Sequence, residues 1–235
     1  MVDNSIVHDL ELAFFGKITA SVSHELNNVL SIINEYSGLL DDLMLADERG
    51  KPVEKDRIKK IALNIVEQIK REQEIIKLLN RFAHRVDAPI LQFNLNELVN
   101  DIIRLSRRFA SLKKVSLEIT LPQETISITN FPFGVQHAIF SYLDLALDYA
   151  NPNDSITTVL EKEESQAIVR VTCRPINKDE QTEKKLALIN LITKNVGVKI
   201  NTALTNDNNQ MINLEIPLSR PDVIRGNKED SINEH

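Results

Sequence analysis

Apolar residues recur at helical spacing from about Val7 to Leu45, at Phe15, Ile18, Val22, Leu26, Val29, Ile33, Leu40 and Leu43. Steps of three, four and seven put them on one stripe of a long amphipathic helix. Gly16 and Gly38 weaken that helix without breaking it. The polar run Asp47-Glu48-Arg49-Gly50-Lys51-Pro52 reads as a turn, with Gly and Pro as punctuation. A second stripe, Ile58, Ile61, Ile65, Ile69, Ile76 and Leu79, predicts a helix from about Val53 to Ala83, its other face filled with Lys, Glu and Arg. Joined by so short a turn, two such helices form an antiparallel hairpin ~45 Å long. One hairpin cannot bury both stripes. Pairing two into a four-helix bundle does, which predicts a homodimer.

After Asp87-Ala88-Pro89 the period changes. Leu91-Gln92-Phe93-Asn94 reads as a short strand ending in an N-cap, and a helix from Leu95 to Leu112 opens with Asn94 as cap and Glu97 three residues on, a capping-box arrangement. Strands are expected at about Ser116–Leu121 and Ser127–Asn130, then a helix over Gly134–Ala150. Strands Ser155–Lys162 and Ala167–Arg174, a helix Thr182–Asn195, and strands Val198–Asn206 and Gln210–Pro217 complete the order. This is an α+β pattern, helices on one face of a mixed sheet. The expected division is a helical hairpin over 1–88, an α/β sandwich over 89–219 and a charged, aperiodic, disordered tail over 220–235.

Composition narrows the function. A net charge of -6 argues against a nucleic-acid partner, because phosphate binding needs a surplus of Lys and Arg on one face. Cys173 is the single cysteine, so an intramolecular disulfide framework is excluded. No apolar run approaches the ~20 residues that span a bilayer. Met1 to Leu10 carries acids and lacks the basic start and apolar stretch of a signal peptide. The expectation is a cytoplasmic protein without a membrane partner.

Polar chemistry interrupts the first stripe at Ser21-Val22-Ser23-His24-Glu25-Leu26-Asn27-Asn28-Val29-Leu30. His24 lies about 200° round the helix from Val22 and so faces outward. Asn28 follows one turn on, on the same face. An exposed imidazole keeps a free ring nitrogen near neutral pH and can attack phosphorus. The carboxylate of Glu25 can orient the ring or take its proton, and Asn28 can position a water or a phosphoryl oxygen. The bland alternative is a surface histidine among polar neighbours. His8, His84, His137 and His235 have no such setting and are read as structural.

Ser23-His24-Glu25-Leu26-Asn27-Asn28-Val29-Leu30 resembles the phosphoacceptor box of sensor histidine kinases, with Val29 where that family usually has Pro. Phe93-Asn94-Leu95-Asn96-Glu97-Leu98 is similar to the family's connection into its ATP-binding domain, and the element order beyond it matches that domain. The resemblance covers roughly Leu12 to Leu218. It implies a dimeric four-helix bundle followed by a histidine-kinase-ATPase-like α/β sandwich. It also implies that His24 carries the phosphoryl group, that Glu25 assists as acid or base, and that Asn28 helps in transfer or phosphatase chemistry.

The carboxy-terminal half departs from that pattern at four places. The helix resembling the family's asparagine-bearing one has Ser141 and Leu145 at the magnesium-ligating positions, and Leu145 offers no oxygen. Cys173 stands where the family has the Asp that receives the adenine amino group, and no glycines follow it. Glu183-Lys184-Lys185-Leu186-Ala187 replaces the glycine-rich start of the last helix, and Glu183 repels phosphate. Only about nine residues separate Cys173 from Glu183, where the family inserts a long lid. Ser141, Leu145, Cys173, Glu183 and Lys185 thus mark a degenerate ATP site.

The resulting expectation is a histidine phosphotransfer protein of a two-component phosphorelay. It exchanges phosphoryl groups between His24 and receiver-domain aspartates, binds no cofactor, and uses the magnesium of its receiver partner; a receiver phosphatase activity is compatible with Glu25 and Asn28. The alternatives are a catalytically inactive pseudo-histidine kinase that works as a dimeric binding module, and a divergent active kinase. Cys173 is read as a core thiol.

Overall fold

The computed structural model describes residues 4–87, 90–177 and 179–220. Of the tail expected over 220–235, Arg220 is described, its amide donating to the Thr129 carbonyl at 3.1 Å; the remainder and the junction at Ala88-Pro89 lie outside the described residues. Two compact units are present, Gly16–Arg81 on its own and Met1–Phe15 together with Phe82–His235.

Helix α1 spans Asn4–Glu48 and α2 spans Lys55–His84. The turn between them closes as its sequence suggested. Gly50 takes a positive φ of 79°, and the amides of Gly50 and Lys51 return to the carbonyls of Asp47 and Ala46 at 2.8 and 3.0 Å. A left-handed glycine satisfying the last carbonyls is an ordinary helix stop. Within Gly16–Arg81 the buried apolar positions are Ile18, Val22, Val29 and Leu43 on α1, and Ile61, Ile75 and Leu78 on α2. Ile69 and Ile76, expected in the α2 stripe, are instead each 41% exposed. The run Ile75-Ile76-Lys77-Leu78-Leu79 offers two adjacent apolar faces, and the side holding Ile75 and Leu78 turns inward.

The second unit is a helix-on-sheet sandwich. Strands β2 (Ser116–Thr120), β4 (Ser155–Lys162), β5 (Gln166–Cys173), β6 (Lys199–Leu204) and β7 (Gln210–Pro217) form one five-stranded sheet in the order β2-β4-β5-β7-β6. The β2–β4 pair is parallel and the others antiparallel, so the sheet is mixed as expected. β1 (Leu91–Asn94) and β3 (Ser127–Asn130) pair separately and antiparallel. Helices α3 (Leu95–Lys113), α4 (Pro132–Tyr149) and α5 (Glu180–Asn195) complete the unit. Alternation sets the core: Ile156 and Leu160 of β4 and Ile212, Leu214 and Ile216 of β7 are buried, with half-buried residues between them.

Asn94 caps α3 through its side-chain oxygen, which accepts from the amides of Asn96 and Glu97. Asp179 does the same for α5, accepting from the Thr182 amide at 2.8 Å. That cap starts α5 at Glu180, before the expected Thr182. Pro132 at the first turn starts α4 ahead of the expected Gly134.

Candidate functional site

Histidine 24 lies on the solvent face of α1, and Asn28, one turn further, is also exposed. The opposite side of the helix is packed: Ser21 and Val22 are buried, Val29 is fully so, and Leu26 is half-buried. Glu25, next to His24, turns toward α2. Its Oε1 accepts a hydrogen bond of 3.2 Å from Nη2 of Arg71, with the two side chains 33% and 55% exposed. A free imidazole, a restrained carboxylate, a guanidinium and an amide therefore occupy one stretch of the Gly16–Arg81 unit. Sequence spacing pointed to His24, Glu25 and Asn28 but not to Arg71. The only signal for Arg71 was a basic residue on α2 at the height of an acid on α1, which depends on register.

The other predicted positions sit on α4, β5 and α5. Ser141 is buried and donates through Oγ to the His137 carbonyl at 2.8 Å, one turn back on its own helix. Leu145 is 1% exposed. Cys173 is buried at the end of β5, and burial pushes its thiol up to about 11. Glu183 is exposed, with its amide bonded to the Asp179 carbonyl. Lys185 is the best-connected of the five, its Nζ donating to Asp144 at 2.9 Å and to Asp148 at 2.6 Å.

Those contacts join α4 to α5. Lys113 adds a third arm, donating to Asp148 at 3.1 Å and to the Leu147 carbonyl at 2.9 Å. Burial works against the charge on Lys185, but Asp148 and Asp144 outweigh it and hold the ammonium above the ordinary lysine range. The same balance, burial opposed by Lys185 and Lys113, holds Asp148 below the usual carboxylate range. Tyr149 and Thr182 are hydrogen-bonded beside them. Together Leu145, Asp148, Tyr149, Gln181, Thr182 and Lys185 line a cleft of about 320 Å³. Asp144 and Asp148 were missed by sequence reasoning, their four-residue spacing on α4 being the one signal that pointed to them.

Elsewhere among the described residues, no cluster of His, Cys, Asp and Glu could hold a metal ion, and no helix is long and apolar enough to cross a membrane.

The catalytic domain of the histidine kinase ThkA superimposes with a TM-score of 0.50 at 19% identity, covering 56% of this chain and 99% of that one. Over that part, the chain has the fold of a histidine kinase catalytic domain. In sequence, the chain is similar to the sensor protein DegM of Bacillus sp. (strain B21-2), at 22% identity over 190 residues and 81% of this chain. That stretch is 47% of DegM, so the chain spans about half the length of the curated relative it matches. ThkA in complex with the response regulator protein TrrA is a weaker likeness, with a TM-score of 0.47 and 18% identity over 88% of this chain and 63% of that one, and adds nothing to the fold assignment. No family model matches the chain. The five positions expected to mark a degenerate ATP site carry a buried serine, a buried leucine, a buried thiol, an exposed glutamate and an ion-paired lysine.

Proposed function

We propose that this protein is a histidine phosphotransfer protein, exchanging phosphoryl groups between His24 and receiver-domain aspartates without ATP. The observation that carries the reading is a contrast. The one histidine set in a kinase-like box is open to solvent, while Leu145 and Cys173 are buried and offer neither an oxygen ligand nor a carboxylate. The residues present do not fit ATP and its magnesium. A thiol is a weak acceptor, and at about 11 it stays protonated at neutral pH. Lys185, the cation nearest to a phosphate-binding role, is engaged by two carboxylates.

The chemistry balances without a nucleotide. The unprotonated ring nitrogen of His24 donates its lone pair to phosphorus on an aspartyl phosphate. The P–O bond breaks, and its electrons leave on the aspartate as a carboxylate. The imidazolium formed sheds the proton on its other nitrogen to water. Approach in line and held orientation supply most of the rate. The magnesium in such a reaction comes with the receiver.

Apolar side chains left exposed on the α1–α2 unit support this reading, because pairing with a second copy would cover them. Within Gly16–Arg81, Leu30, Met44, Leu63, Val66 and Ile69 are all more than 40% exposed, an apolar face that a homodimer would cover. The alternative is a binding module that catalyses nothing. The Lys185 network favours it, since those contacts make the sandwich a fixed structural piece. Incubation with a panel of phosphorylated receivers separates the two: acid-labile label on wild type that vanishes in His24→Ala supports phosphotransfer. If no label appears and no receiver phosphate is lost across the panel, the protein works by binding alone.

A further inference from the structure

The Glu25–Arg71 pair is a single charge-assisted hydrogen bond from α2 to the residue beside His24, largely open to water. A pair this exposed adds little to stability. Its consequence lies in where it holds a carboxylate. Consecutive side chains on a helix splay by ~100°, so Glu25 can lie against α2 or swing toward its neighbour. A phosphoryl group entering the His24 site is anionic, and a free carboxylate at the next residue repels it. A guanidinium that keeps that carboxylate engaged removes most of the repulsion and fixes its direction.

We propose that Arg71 is a positioning residue for phosphoryl exchange: it holds the Glu25 carboxylate toward α2 and cancels its charge, leaving the approach to His24 open to an anion. The proposal rests on His24 being the phosphoacceptor. Arg71 acts through Glu25 and does not itself touch the phosphoryl group.

The full chain, a phosphorylated receiver domain and four variants provide the test. Arg71→Ala lowers the rate of label transfer to His24 by roughly two- to fivefold, the range of an exposed pair, with KM for the receiver unchanged. Arg71→Lys recovers most of the rate. In a Glu25→Gln background, Arg71→Ala has no further effect, because no carboxylate remains to be held. Arg71→Ala transferring at the wild-type rate overturns the proposal. So does an Arg71 effect that persists undiminished beside Glu25→Gln, which makes the guanidinium a direct phosphoryl contact, and so does a raised KM alone, which makes it a docking residue. Wild-type protein that takes no label from any receiver removes the phosphoacceptor reading as well, an outcome distinct from the other three.

Discussion

The imidazole of His137 lies flat against the ring of Phe14, with centroids 4.5 Å apart and planes 2° from parallel. The stack joins the start of α1 to α4. Phe82, Phe133 and Phe140 surround Phe14 at 5.0 to 5.4 Å. His137 is 4% exposed, and burial pulls its pKa from 6.5 down to about 4.

That shift makes stability depend on pH in a stated direction. As pH falls, the unfolded chain binds a proton near 6.5, while the folded one resists until about 4. The contribution is therefore complete above about pH 6.5 and drains away toward pH 4. Between pH 7 and 5 the wild type should lose about 2 kcal/mol more than His137→Leu, which has no proton to bind. Urea denaturation at the two pH values measures it; parallel losses would mean that the folded His137 takes up its proton as readily as the unfolded one.

Phe14→Ala removes the centre of the aromatic cluster. A buried phenylalanine cut to alanine costs about 3–5 kcal/mol, and Phe14 is 3% exposed. Amide exchange on α4 should quicken with it, whereas the exposed Leu12→Ala should leave exchange there unchanged.

Arg85 donates to Asp101 at 2.6 Å and to Gln136 at 3.0 Å, with the Asp101 side chain only 2% exposed. Arg85→Met removes one charge-assisted hydrogen bond from a buried carboxylate, a loss of about 1.5–3 kcal/mol that urea denaturation at neutral pH measures; an unchanged midpoint would mean that the bond adds nothing. The sequence carried no sign of this pair, because it links the turn after α2 to the middle of α3. The His137 stack was equally hidden, and His137 was read only as structural. Local signals did better. Alternation gave β4 and β7 within a residue, and Asn94 declared the start of α3. Asp179 sets the start of α5 at Glu180, ahead of the expected Thr182, because its side-chain oxygen accepts from the Thr182 amide. At the candidate site the outward face of His24 followed from helical geometry, while Arg71 needed the register between two helices.

Gly38 stands mid-helix in α1, and a Cβ there meets nothing within 4 Å. Gly38→Ala should stabilise the protein by up to ~1 kcal/mol through helix propensity alone. A lower melting temperature would indicate that another surface, such as a second copy, closes on that position.

Cys173 should resist thiol reagents in the folded protein. It is 2% exposed and its thiol sits at about 11. Reaction with a disulfide reagent at pH 8 is expected only at the rate of unfolding, and rapid labelling in native buffer would contradict its burial.

The central claim is that phosphate reaches His24 from a receiver and not from ATP. The most direct measurement exposes the same preparation to labelled magnesium-ATP and, in parallel, to labelled phospho-receivers, with His24→Ala beside each. Acid-labile label from a receiver alone, absent in His24→Ala, is the predicted result. Label from ATP with no receiver present, lost in His24→Ala, would contradict the account and make the protein a kinase.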